Sequence, residues 1–287
     1  MSSIAYITDQ RLIENVRSSG NRELNFWRLS MKNFESFSEG SLLFFIDSRL
    51  QSRNNKEKGI IGFGRATSFQ KMSPKKMWET YRSVNGYHDL MSFYDAILSA
   101  GKSDEMPKSV QSIYLDSIVI FKGPLYLSEI GVNLPLQLES FAYLDRDNSH
   151  NTASLLEKVK EIGIDTWYQA LNPKLNIDII DEHIKEQRIR TALQRVNYNF
   201  SKQQYYILSQ SNCDFLINCI GYNKVEKGYE ILVPCSSIKQ QQYAILGIIS
   251  ALKNDITFVD VSFKVIVREK TTNLDLFITQ GIALLYI

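Results

Sequence analysis

A chain of 287 residues with 44% hydrophobic and 22% charged side chains can bury a core in each of two ordinary domains, which excludes extensive disorder. The 33 Lys and Arg against 31 Asp and Glu leave a net charge of +2, which excludes a polybasic coat and confines any nucleic-acid site to a local patch. Cys213, Cys219 and Cys235, with no CxxC and no neighbouring histidine, exclude a disulfide framework and a finger-type zinc site and point to a reducing cytoplasm.

The opening "MSSIAYITDQRLIENV" lacks a charged region followed by an apolar run, and no window approaches about 18 uncharged apolar residues, so neither a signal peptide nor a membrane span is expected. After this short leader, "NFWR" (25–28) heads the first block of strands, "SLLFFID" (41–47) and "KGIIGFGRA" (58–66). The polar loop between those two carries Arg49, Arg53, Lys56 and Lys58, which predicts a hairpin with a basic tip. Ser73-Pro74 reads as the N-cap and first residue of a helix closed by Asn85-Gly86, with Met77, Trp78, Tyr81 and Val84 along one face. A second helix follows over 88–101, then a strand over 112–123 bounded by Gly123-Pro124, and extended pieces interrupted by Pro135.

The composition turns polar at 146–153, and the boundary is placed there, giving domains 1–148 and 149–287. "TASLLEKVKEIG" and "DIIDEHIKEQRIRTALQRV" read as amphipathic helices. Beyond them come strands "CDFLINCIGY" and "GYEILVP", a helix "SSIKQQQYAILGIISALKN" capped by Ser236 or Ser237, and two last strands joined by "KTTN" as an antiparallel hairpin. The fold class is α+β, without repeats or low-complexity tracts.

Taken together, "NFWR", "EGSLLFFI" (39–46), "IIGFG" (60–64), "MWETYRSVNG" (77–86) and "SIYLDSIVIF" (112–121) resemble, over residues 20–145, the N-terminal domain of a family of bacterial restriction endonucleases with a C-terminal HNH nuclease. The resemblance implies a PUA-like β-barrel with inserted helices, related to the EVE and SRA readers of modified bases. It implies recognition of modified or flipped bases in DNA within restriction or antiviral defence, with RNA as another partner because PUA relatives also read RNA.

A flipped base needs an aromatic wall, since stacking contributes about 1–3 kcal/mol per base. Trp27, Phe63 and Trp78 are the candidates, with Gly62 and Gly64 allowing close backbone approach. Arg28, Arg65, Arg49, Arg53, Lys56 and Lys58 are candidates for phosphate contacts, and Asn25 for reading a base edge. Each has a plainer reading: Trp78 as core, Trp27 packed on the sheet, "GFG" as a bulge and the cations as a solvated loop tip.

The resemblance breaks in the second half. The three histidines are His88, His150 and His183, so none follows residue 183, where an HNH centre needs them. A metal-dependent nuclease of the PD-(D/E)xK kind would draw on Asp214, Glu226, Lys227 and Glu230, or on Asp255, Asp260 and Lys264, and neither set shows that pattern on one strand face. No phosphate loop, dinucleotide fingerprint or nucleophile elbow is present, and the cysteines read as small buried apolar residues. Enzymatic activity is therefore left open, with no cofactor expected and Mg²⁺ only if the second domain is a nuclease. The competing reading is a non-catalytic module in which the second domain serves assembly, as a homo-oligomer or with a defence-system partner, through the apolar C-terminal strand.

Overall fold

The computed structural model describes residues 2–53, 55–133, 138, 140–236, 238–257, 259–268 and 274–287. The Pro135 break, the Ser237 cap and the "KTTN" connection at 270–273 lie outside the described residues. The chain is α+β and divides into two compact units, Met1–Ile184 and Lys185–Ile287.

The first unit is built on β1 (Ile4–Ile7), α1 (Gln10–Ser19), β2 (Leu24–Arg28), β3 (Leu42–Gln51), β4 (Lys58–Met72), α2 (Pro74–Tyr81) and α3 (Leu90–Gly101). It continues with β5 (Val110–Leu125), β6 (Phe141–Tyr143), α4 (Asn151–Ile162), α5 (Thr166–Leu171) and the first turns of α6 (Asp178–Arg195). The expected hairpin is β3–β4, and Ser73 caps α2 by accepting from Lys76 N at 3.3 Å. Gly86 closes the following 3₁₀ turn with φ 81°, a conformation that favours glycine. The strand expected to stop at Gly123-Pro124 runs through them to Leu125.

The six strands pair in the order β2-β5-β4-β3-β1-β6, with β1 parallel to β3 and every other pair antiparallel. Register shifts interrupt both β3–β4 and β4–β5, and each such bulge bends its strand and adds twist. The sheet consequently curls until β2, at one edge, returns to β1 near the other, where Tyr6 and Phe26 meet edge to face at 4.9 Å. Side chains close this seam; no β2–β1 or β2–β6 ladder occurs among the described residues.

Phe44, Phe45, Ile60, Phe63, Ile113 and Val119 fill the interior. Gly62 and Gly64 serve strand packing: an added Cβ would meet Val119 O at 2.6 Å and Ile118 Cδ1 at 2.4 Å. The "GFG" stretch is thus the bulged seam of β4 on β5, not an approach to a ligand.

Two features differ from the sequence reading. The short leader is structural, since β1 lies inside the sheet and α1 buries Leu12, Ile13 and Val16 behind the Asp9 N-cap. The division between units falls later than 148/149 because α4 and α5 belong to the first core. Leu155, Leu156 and Val159 are buried, Lys122 N donates to Gly163 O at 2.9 Å, and the Tyr168 hydroxyl donates to Asn21 O at 2.7 Å.

The second unit continues α6 and adds α7 (Lys202–Ser209), β7 (Phe215–Ile217), β8 (Ile220–Val225), β9 (Gly228–Pro234), α8 (Lys239–Asp255), β10 (Val261–Val267), α9 (Asp275–Ile278) and β11 (Ala283–Tyr286). "CDFLINCIGY" is two strands, because Asn218 and Cys219 adopt φ 49° and 59° in a tight two-residue turn. The sheet runs β11-β10-β9-β8-β7. β10 and β11 pair in parallel, so the expected antiparallel C-terminal hairpin does not form; α9 occupies part of the segment read as strand. Among the described residues no helix is long and apolar enough to cross a membrane.

Candidate functional site

The curl of the first sheet leaves a cavity of about 450 Å³ between β1, the start of α1, β2 and α3, within the size range of small-molecule sites. Tyr6, Phe26 and Trp27 give it aromatic walls, while Arg28, Asp9, Arg11, Ser99 and Ser140 supply polar groups. Strand alternation alone would send Phe26 and Trp27 to opposite faces; both reach the cavity because it opens at the curled edge, where β2 has a neighbour on one side only.

Trp27 is half-buried and braced edge-on by Phe93, with ring centroids 6.0 Å apart. Its indole Nε1 is buried without a partner of normal hydrogen-bond geometry, although it lies close enough to the Tyr87 hydroxyl to counter part of that group's upward shift. Arg28 is 4% exposed; its Nε donates to Gln111 Oε1 at 2.6 Å, its Nη2 donates to Lys32 O, and its guanidinium lies 3.8 Å from the Phe34 ring centroid. Burial lowers the Arg28 pKa and raises that of Tyr6, while the contact between the two works against both shifts. The site therefore holds a fixed, partly desolvated cation next to a phenol.

At the mouth, Asp9 caps α1 by accepting from Arg11 N at 2.9 Å, pairs with the Arg11 guanidinium at 3.0 Å and accepts from the Tyr87 hydroxyl at 3.1 Å. Burial acts to raise the Asp9 pKa, but these hydrogen bonds outweigh it and hold the carboxyl below its usual value. Burial first, and then the Asp9 charge, push the Tyr87 phenol far above its usual value. Tyr87 thus acts as a hydrogen-bond donor throughout the physiological range.

Of the sequence candidates, the cavity gathers Trp27 and Arg28. Asn25 is fully buried, donating to Asn85 Oδ1 at 2.7 Å and accepting from the Ser112 hydroxyl, so it ties β2 to β5 and the Gly86 turn and faces no open base edge. Phe63 is fully buried against Phe44, Phe121 and His183. Trp78 is 9% exposed and stacks on Phe93, which makes it the support behind Trp27. Arg65 is buried, donating to Gly40 O at 2.6 Å and contacting the His183 ring, because its strand position turns it into the interior.

The hairpin cations stand apart from this cavity. Arg49 pairs with Asp47 at 2.9 Å and lies 3.8 Å from Glu14 on α1, which draws the hairpin towards the outer face of that helix. Lys58 Nζ donates to Leu138 O at 2.9 Å, while Arg53 and Lys56 are exposed. Tyr6, Asp9, Arg11 and Tyr87 escaped the sequence reading. The available signal was Asp9 ahead of Leu12, Ile13 and Val16, an N-cap before an apolar helical face.

In the second unit, Glu230 pairs with Lys264 at 2.7 Å across β9 and β10. Among the described residues no group of three or more His, Cys, Asp and Glu is placed to hold a metal ion. Burial pushes the Cys219 thiol up to about 11 and the Cys235 thiol up to about 12, so both stay protonated and inert near neutrality.

No family model and no curated protein matches the chain. Similar solved structures include ASCH from Zymomonas mobilis and two single-residue mutants of that protein. Each is 13% identical with a TM-score of 0.38, covering 54–55% of this chain and 95–98% of its own.

Proposed function

We propose that the first unit binds nucleic acid and takes one extruded, modified base of DNA into the cavity walled by Tyr6, Phe26 and Trp27. The observation that carries this reading is the pairing of Trp27 with a buried Arg28 in a cavity of about 450 Å³. A flat ring gains stacking on the aromatic walls, and its polar edge finds a fixed guanidinium and the three serines of the lining. The basic hairpin beside α1 supports a backbone path, since Arg53 and Lys56 are exposed cations of the kind that position phosphates. The sequence resemblance supports a setting in bacterial restriction or antiviral defence, with the second unit serving assembly or a partner.

Gel-shift titration of plain, methylated, hydroxymethylated and glucosylated duplexes tests the reading. Preferential binding of one modified duplex, lost in Trp27→Ala, is the expected result. Equal and negligible binding to all four would overturn it.

A further inference from the structure

A second cavity, of about 600 Å³, lies along the outer side of α1 and shares Arg11 and Tyr87 with the first. Arg11, Asn15 and Ser18 line it from one helical face, joined by Arg17, His88 and Trp167. Trp167 is 58% exposed and lines the cavity, so its indole is accessible to a flat ring. Asn15, on the same wall, is 6% exposed and its Oδ1 is buried without a hydrogen-bond partner. Arg11 and Arg17 have half-exposed side chains in ion pairs with Asp9 and Asp165, so a phosphate can share them without the cost of dismantling a fully buried pair. Glu14, also on the cavity wall, lies 3.8 Å from Arg49, which places the basic hairpin beside this same cavity.

We propose that this second cavity holds the nucleotide adjoining the extruded one, with its base on Trp167 and its phosphate at Arg11 and Arg17. The proposal rests on the base-binding reading of the first cavity. The two cavities share Arg11 and Tyr87 in their lining, so they lie side by side as two successive nucleotides of an unpaired strand require. The protein then recognises a single-stranded or locally opened step and not an isolated base.

Two ligands separate the claims: methyldeoxycytidine monophosphate, which fills one cavity, and a labelled single-stranded oligonucleotide carrying one methylcytosine, which fills both. Anisotropy titration is expected to show oligonucleotide affinity falling about 5- to 150-fold in Trp167→Ala, the loss of one stacked base. Mononucleotide affinity should be unchanged in that variant, and Trp167→Phe should recover most of the oligonucleotide binding. Trp167 is exposed on α5, so its replacement leaves the core intact. Unchanged oligonucleotide affinity in Trp167→Ala, or an equal loss for both ligands, overturns the second cavity. Trp27→Ala is the separate control: if it leaves mononucleotide binding intact, the base-binding reading itself fails.

Discussion

Trp27 and Phe63 look alike in the sequence, an aromatic in or near a strand, yet they occupy opposite situations. Phe63 is fully buried among Phe44, Phe121 and His183, so Phe63→Ala should cost about 3–5 kcal/mol of stability, measured by denaturant unfolding. Trp27→Ala should instead weaken base binding about 5- to 150-fold with a smaller stability change, because its ring is only partly buried and lines the cavity. Asn25→Ala leaves Asn85 and Ser112 without their partner inside the fold, for a loss of about 1–3 kcal/mol read as a lower Tm. Asp9 adds a pH dependence. Its lowered folded pKa contributes stability that is complete above the ordinary carboxylate value of about 3.9 and is lost as pH falls through the folded value. The Tm gap between wild type and Asp9→Ala should therefore be largest near neutrality and narrow in acid.

At the scale of elements, caps and apolar periodicity made much of the fold legible. Ser73-Pro74 opened α2, the Leu and Phe runs gave β3 and β4, and the long amphipathic pattern gave α6. The site was less legible because it is made by curvature. Tyr6 and Phe26 are 20 residues apart in sequence and meet at 4.9 Å only after bulges bend the sheet, which single-strand patterns do not report. Likewise, the parallel return of β11 depends on α9, a short helix inside a stretch whose Leu, Phe and Ile content reads as strand. Gly62 tests the seam directly. Gly62→Ala places a Cβ 2.6 Å from Val119 O, so β4 and β5 must shift, and amide exchange along β5 should quicken.

For the whole molecule, a net charge of +2 means that the proposed nucleic-acid binding must draw on a local patch of cations and on stacking. The salt dependence of binding should be shallow. Arg53→Gln with Lys56→Gln should weaken plain and modified ligands alike and reduce the slope of log K against log salt by about 0.7–0.9 per lost contact. The base preference should survive, since these exposed cations lie outside the aromatic cavity.

The central claim is that a base enters the cavity at Trp27 and Arg28. Photocrosslinking of a bromouracil-substituted single-stranded oligonucleotide, followed by peptide mapping of the intact protein, tests it most directly. The adduct is expected on Trp27 or Tyr6, abolished by an excess of unlabelled modified strand. Adducts confined to residues 185–287, or to the basic hairpin with none in the cavity, would contradict it.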